Sequence, residues 1–360
     1  MQIFHQSVFD KWQIEDNSIQ CILTSPPYYS LRKYDIPDVI IGGDKDCGHE
    51  WGNEIKLNNR HKAGETNPGK EAWLKDSGAI AQTAGQFCLH CNAWQGQYGL
   101  EPTYKLYLEH TMLWLKEAWR ALRDDGILFI NIADSYGGGS GSYYPHKNEV
   151  RASKNYLKTH SQGKPKSKLL IPERLMVMMA DEGWIIRNHI VWFKPNAMPE
   201  SATDRFSKKW ETIIFAVKSP KYYFDLDGVK EAYQQTTIER AGRGFESDNK
   251  VYNENYNSEK HINYAKKVLS GELRGKNPGD VFQIPTQPSP EKHYAMWPEA
   301  LCKRLILCST KAGDAVLDPF AGSGTTLRVA DELNRKAYGI DLGYSDIQQR
   351  RLTEIQKVLI

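Results

Sequence analysis

Residues 24–28 read Thr-Ser-Pro-Pro-Tyr and follow an apolar run from Ile19 to Leu23. Consecutive prolines fix φ and remove two N–H donors, so the Ser25 and Pro26 carbonyls stay rigid and outside any strand ladder. A rigid acceptor next to an aromatic face can grip the amino group of a flat base stacked on Tyr28. A proline turn that merely ends a strand reads the same way, so a partner motif is needed. Residues 315–326, Ala-Val-Leu-Asp-Pro-Phe-Ala-Gly-Ser-Gly-Thr-Thr, supply one: a short apolar strand, an acidic end and a Gly-x-Gly turn into a helix. Glycines in such a turn let backbone approach a nucleotide-like ligand.

Two details narrow the ligand. The turn contains no Gly-Lys-Ser/Thr, which argues against an NTPase phosphate loop. The carboxylate of Asp318 repels a pyrophosphate and suits a ligand with a positive amino group. Residues 338–341, Tyr-Gly-Ile-Asp, end the next strand with a second carboxylate suited to ribose hydroxyls. The pair fits S-adenosylmethionine better than NAD. Asp318, Pro319, Phe320, Gly322, Gly324, Thr325 and Asp341 are therefore the expected cofactor contacts.

A separate group of residues has metal chemistry. Cys47-Gly-His49 and Cys88-Leu-His-Cys91 form two ligand pairs joined by a long segment. Cys-x2-Cys is a zinc-knuckle spacing, and six cysteines in 360 residues are too few for a disulfide scaffold. Cys47, His49, Cys88 and Cys91 are expected to hold a structural zinc, with His90 and His61 as replacement ligands. Methyl transfer from a sulfonium needs no Lewis acid, so a catalytic zinc is disfavoured.

The elements that position these motifs are legible from periodicity. Apolar runs at 19–23, 127–132, 185–193, 212–217, 315–317 and 337–340 read as strands. Leu108, Met112, Leu115, Trp119 and Leu122 recur at helical spacing. Helices are also predicted over 172–180 and 298–309, each with proline in its first turn. This alternation predicts an α/β domain with a mostly parallel sheet. Three segments interrupt it: a polar insertion over 42–99, a basic loop over 137–168, and a surface-rich region over 221–280.

The formal charge is +3, from 47 Lys+Arg and 44 Asp+Glu, so no global field advertises nucleic acid. The basic loop is an exception, with seven Lys/Arg against Glu149 alone. No run approaches the roughly 18 apolar residues of a membrane span, and the first residues lack the pattern of a signal peptide, so a cytoplasmic protein is expected.

The two leading motifs, in this order, resemble the β subgroup of the exocyclic-amino DNA methyltransferases, the N4-cytosine and N6-adenine enzymes. The resemblance extends through residues 99–103 (Gly-Leu-Glu-Pro-Thr), 134–136 (Asp-Ser-Tyr), 192–201 (Trp-Phe-Lys-Pro-Asn-Ala-Met-Pro-Glu-Ser) and 277–280 (Asn-Pro-Gly-Asp). It implies an α/β, Rossmann-like class I S-adenosylmethionine-dependent methyltransferase. Its doubly wound, mostly parallel seven-stranded sheet would carry a small metal-stapled insertion and a target-recognition subdomain. The catalytic domain would comprise 1–41, 100–220 and a cofactor-binding part over 291–360, with the zinc-binding insertion at 42–99 and target recognition at 221–290. Ser25, Pro26, Pro27 and Tyr28 would act at a flipped base. No cysteine follows a proline, so covalent cytosine-C5 chemistry is disfavoured.

By the same resemblance, Ser rather than Asp at position 25 favours cytosine N4 over adenine N6. Where such enzymes often carry Gly-Asp near the first strand, this chain has His5-Gln6, and Gln6 is not assigned to the site. Double-stranded DNA is the implied partner, contacted by Lys147, Arg151, Lys154, Arg205, Lys208, Arg240 and Arg243. A homodimer and a cognate restriction endonuclease are further implied partners, in a bacterial, archaeal or phage-encoded setting. Competing readings are a non-catalytic zinc-dependent DNA-binding protein and a methyltransferase of RNA or of a protein amide.

Overall fold

The computed structural model describes residues 1–31, 33–34, 36–55, 85–137, 163–242, 258–272, 275–287 and 297–343. In chain order the elements are β1 (Gln2–Phe4), β2 (Ile19–Thr24), β3 (Val39–Ile41), β4 (Gln86–Phe87), β5 (Trp94–Gly96), α1 (Tyr104–Ala121) and β6 (Leu122–Ile132). Then come α2 (Ile171–Asp181), β7 (Ile185–Phe193), β8 (Trp210–Val217), α3 (Gln235–Gly242), α4 (Ser258–Leu269), β9 (Val281–Gln283), α5 (Glu299–Ser309), β10 (Ala315–Asp318), α6 (Thr325–Glu332) and β11 (Lys336–Ile340).

The central sheet has the order β1-β11-β10-β2-β6-β8-β7-β9. Only the β6–β8 and β8–β7 pairs are antiparallel. The sheet thus has eight strands rather than the expected seven, because the three-residue β9 pairs parallel to β7 at the edge. Successive residues of β2 alternate between two cores, as a strand covered on both faces must. Ile22 packs with Leu128, Ile130 and residues of α1 and α2, while Cys21 and Leu23 pack with Phe129 and residues of α5 and α6. A second, three-stranded antiparallel sheet, β3-β5-β4, pairs Trp94–Gly96 with both Val39–Ile41 and Gln86–Phe87.

Local sequence explains the helix ends. Thr103 accepts the Leu106 N–H at 3.1 Å and caps α1. That helix stops at Ala121 and the chain turns directly into β6, earlier than Asp124-Asp125-Gly126 suggest. The extra strand residues are absorbed by a register irregularity between Ile19 and Cys21. Pro172 lies in the first turn of α2, and Pro298 caps α5. No helix among the described residues is long and apolar enough to cross a membrane.

A buried hydrogen-bonded pair, Glu101 and His110, locks the segment that backs the Ser-Pro-Pro-Tyr turn. Glu101 accepts the Gly99 N–H at 2.8 Å and pairs with Nδ1 of His110, from α1, at 3.0 Å. Burial pushes the Glu101 carboxyl above the usual range, against the pull of His110. The Gly99 carbonyl accepts the Ser30 N–H at 2.7 Å, and a Cβ at Gly99 would meet that of Pro27 at 3.0 Å. Removing one partner of a buried hydrogen bond strands the other, at a cost of about 1–3 kcal/mol. Glu101→Ala should therefore lower unfolding free energy by about 2 kcal/mol in a denaturant titration. A loss below about 1 kcal/mol, the range of an exposed pair, would show that Glu101 does not lock this turn.

Candidate active site

β2 and β10 are parallel neighbours, with Cys21 opposite Val316 and Ile22 opposite Leu317. Their carboxyl ends therefore release both motifs at the same sheet edge, where α/β folds bind ligands. A hydrogen bond joins them directly: Thr24 Oγ1 donates to Asp318 Oδ1 at 2.7 Å, across 294 residues of sequence.

Asp318 is 2% exposed. Its Oδ1 also accepts the Phe320 N–H at 3.0 Å, and Oδ2 accepts from Thr326 Oγ1 at 2.7 Å. Burial pushes its carboxyl up to about 6, with Asp341 adding to the rise, while the hydroxyls of Thr326 and Thr24 and the Phe320 N–H pull it down. Asp341, just after β11, holds the glycine turn. Its Oδ2 accepts from Gly322 N–H at 2.7 Å and its Oδ1 from Gly343 N–H at 2.8 Å. Gly324 caps α6 at φ 80°, a left-handed conformation that glycine adopts without strain.

A cleft partly open to solvent runs along this edge. Ser25, Pro27, Asp318, Pro319, Phe320, Gly322, Thr325 and Asp341 line it. Of the remaining residues expected at the two motifs, Pro26, Tyr28 and Gly324 are not in the lining. Gln6, set aside on sequence, lies in the wall as well. Its Nε2 donates to the Lys11 carbonyl at 3.1 Å, while its buried Oε1 has no hydrogen-bond partner among the described residues. Tyr98 stacks on Phe320 with ring centroids 5.6 Å apart, and Trp114 meets the same ring edge-on at 5.4 Å.

The hydroxyl of Tyr28 is anchored. It donates to Glu211 Oε2 at 2.8 Å and accepts from Asn131 Nδ2 at 2.5 Å and from Ser25 Oγ at 3.3 Å. Asn131 also donates to Glu211, at 2.9 Å, and Lys194 is ion-paired with the other oxygen of Glu211. Burial, with Glu211 next in effect, pushes the Tyr28 phenol well above its ordinary range. Behind the turn, Tyr107 donates to the Pro27 carbonyl at 2.9 Å. Among the described residues, the Ser25 and Pro26 carbonyls accept no hydrogen bond, consistent with the proline argument.

Sequence reasoning missed Asn131, Glu211 and the Tyr98 wall. Glu211 carried a usable signal, since it is the one charged side chain in the mostly apolar strand β8. Lys194 lay within the 192–201 motif without an assigned role.

The expected DNA contacts divide. Lys147, Arg151, Lys154 and Arg243 lie outside the described residues, as does His61, and Arg240 is described only in its backbone. Arg205 pairs with Glu200 at 2.6 Å and stands over the Tyr136 ring at 4.4 Å, with Lys208 over the same ring at 5.5 Å. Phe206, between them, is 98% exposed. Cys47, His49, Cys88 and Cys91 converge outside the cleft lining. His90, named as a replacement ligand, instead reaches Glu50 at 3.1 Å.

A doubly wound sheet with an acidic strand end and a glycine turn at one edge has the form of an S-adenosylmethionine-dependent methyltransferase. The chain belongs to the DNA methylase family of N6- and N4-type enzymes, which it matches over residues 19–349. It is 31% identical over 344 residues to the type II methyltransferase M.Cfr9I of Citrobacter freundii, covering 94% of this chain and 83% of that one. It is also 31% identical over 261 residues to M.SmaI of Serratia marcescens, covering 71% and 77% of the two chains. Among solved structures, the cytosine-N4-specific PvuII DNA methyltransferase aligns over 99% of this chain and 90% of its own. That alignment has a TM-score of 0.52 at 15% identity, a likeness of fold.

Proposed function

We propose that this DNA methyltransferase modifies the N4 amino group of cytosine at a specific site in duplex DNA, by direct transfer to a flipped base. The observation that supports the reading is the Thr24–Asp318 hydrogen bond, which joins the Ser-Pro-Pro-Tyr turn to the glycine turn beside one cleft. In this reading the ammonium of S-adenosylmethionine faces Asp318, its ribose hydroxyls face Asp341, and its adenine amino group donates to the orphaned Oε1 of Gln6.

The exocyclic amine of cytosine is a poor nucleophile because its lone pair is delocalised into the ring. Hydrogen bonds from the amine to the Pro26 carbonyl and the Ser25 side chain favour a pyramidal nitrogen whose lone pair points at the sulfonium methyl. Bound there, S-adenosylmethionine would supply an electrophilic methyl whose C–S electron pair leaves with sulfur, and the methylated nitrogen would give up one proton to solvent. Positioning and electrostatics are the sources of rate acceleration in such a step. Arg205, Lys208 and the basic segment over 137–168 would hold phosphates, and 221–290 would read the site. A homodimer and a cognate endonuclease remain part of the proposal through the resemblance to type II systems.

Serine at position 25 supports cytosine over adenine, through the pattern seen in enzymes that this chain resembles. The test uses radiolabelled S-adenosylmethionine and unmethylated duplex DNA, with digestion to nucleosides. Label is expected in N4-methylcytosine. Label in N6-methyladenine would overturn the choice of base, and label in RNA or protein alone would overturn the DNA substrate.

A further inference from the structure

Among the described residues, one group of side chains meets the geometry of a metal centre, and it lies outside the lining of the catalytic cleft. The ligand atoms of Cys47, His49, Cys88 and Cys91 all lie within 4.8 Å of one another. Cys47 Sγ and Cys88 Sγ are 3.9 Å apart, and Cys91 Sγ is 3.4 Å from His49 Nδ1. Tetrahedral zinc, with Zn–S of about 2.3 Å and Zn–N of about 2.05 Å, requires roughly 3.8 Å between sulfurs and 3.6 Å between sulfur and nitrogen. The two separations above match these values to within about 0.2 Å. A disulfide instead needs sulfurs about 2.05 Å apart.

The backbone explains why the four side chains meet. Cys88 ends the β4 side of a hairpin whose Cys88 N–H donates to the Ala93 carbonyl at 2.8 Å. Asn92, at φ 60°, makes the tight turn that brings Cys91 back. The 47–55 segment runs alongside: Trp51 bridges Cys88, Leu89 N–H donates to the Glu50 carbonyl at 2.8 Å, and Gly52 N–H donates to the Phe87 carbonyl at 2.9 Å. His90 N–H points at Cys88 Sγ, at 3.4 Å, the kind of outer contact that supports a metal-bound thiolate. Gly43 leaves room for this packing, since a Cβ there would meet Cys91 Sγ at 2.8 Å and Ala93 Cβ at 2.5 Å.

The chain then carries this knot into the active site. β5 continues into Gln97 and Tyr98, both of which line the cleft, as does Val39 of β3. Gln97 accepts the Tyr34 N–H at 3.1 Å and donates to the Ile36 carbonyl at 2.6 Å, and Tyr98 stacks on Phe320.

We propose that Cys47, His49, Cys88 and Cys91 bind one structural zinc ion, and that this ion clamps the β3–β5 ribbon forming one wall of the cofactor cleft. Three thiolates and an imidazole fill all four positions, so the ion has no open site for substrate. The soft donor set selects zinc over magnesium or calcium. Closing the loop between His49 and Cys88 with a metal removes chain entropy from the unfolded state, so that metal binding contributes directly to folding.

The test starts from the unaltered full-length protein, so that it does not depend on a variant that folds. Elemental analysis after purification without added metal should find about one zinc per chain. Chelator-stripped protein refilled with Co²⁺ should show the visible bands and thiolate charge transfer of a tetrahedral sulfur-rich site, abolished by added zinc. Stripping should weaken S-adenosylmethionine binding in calorimetry by about tenfold, restored by zinc. His49→Cys, which keeps a zinc-competent set, should retain the metal, whereas Cys91→Ala should lose it. Protein that is purified and refilled without holding zinc, or cobalt without thiolate bands, would overturn the site. Cofactor affinity unchanged by stripping would overturn the clamp while leaving the site and the choice of base standing.

Discussion

Tyr28→Ala should cut kcat for methyl transfer by about 100-fold or more while leaving S-adenosylmethionine affinity nearly unchanged. Tyr28 is absent from the lining of the cleft, and in the proposed reading its ring stacks on the target base, so its loss would act on that base rather than on the cofactor. Its ring is fixed at both ends, by the backbone after two prolines and by a hydroxyl bonded to Glu211, Asn131 and Ser25. A freed ring, or none, lets the amine drift from the line of attack, and displacements near 1 Å are worth that factor.

Tyr28→Phe separates the anchor from the ring. It keeps the aromatic face but leaves Glu211 and Asn131 each short of one partner in a buried network, costing about 1–3 kcal/mol of stability. Its kcat should fall by about tenfold, less than for the alanine variant. Single-turnover kinetics at saturating DNA would check both values. Equal kcat for Tyr28→Ala and the unaltered enzyme would remove Tyr28 from the reaction.

Asp318→Asn should weaken S-adenosylmethionine binding by about 10- to 100-fold, the worth of a charge-assisted hydrogen bond of roughly 1.5–3 kcal/mol. The pH dependence gives an independent readout on the unaltered protein. Burial has raised this carboxyl to about 6, so the ligand-free enzyme is protonated there below that pH. A cationic ammonium selects the ionised form, and binding must then expel a proton. Affinity should be flat from about pH 6 until the ligand's own ammonium titrates, and fall by about tenfold per unit below pH 6.

Stability runs in the opposite sense. A raised folded-state value means that the folded chain holds this proton more tightly than the unfolded chain. The Asp318 contribution is thus greatest below the unfolded value near 3.8, declines as pH rises to about 6, and is constant beyond. Asp318→Asn should flatten the affinity profile across this window when binding is followed by calorimetry. A variant that kept the full profile would place the titrating group elsewhere.

The strands that carry both motifs, β2 and β10, were legible because they are continuous apolar runs bounded by turn residues. Helices α1, α2 and α5 were legible through periodicity and proline placement. What escaped was short or set by distant partners. β1, β3, β5 and β9 have three residues each, too few for any pattern to declare itself. The polar helices α3 and α4 lie in a region read as surface-rich, where few apolar positions mark a face.

At the site, residue types were readable and their connections were not. Asp318 was read as a ligand contact, and no local window shows that it accepts from Thr24 of another strand. Asp341 was read as a partner of ribose hydroxyls, and nothing in its sequence context shows that it fastens the glycine turn. Gln6 departs from the Gly-Asp pattern and still reaches the cleft, because β1 pairs with β11 beside it. Glu211 joins Tyr28 across 183 residues, a relation that no local window contains.

The long span between Thr24 and Asp318 also has a consequence for how the enzyme is made. On the ribosome, β2 can pair with β6 early, but its other edge must wait for β10, 294 residues beyond Thr24. At about 5–20 residues per second that wait is roughly 15–60 s. Throughout it the nascent chain exposes an apolar strand edge, open to mispairing with other chains. The cofactor cleft does not exist until that edge closes, so synthesis itself delays the onset of methylation.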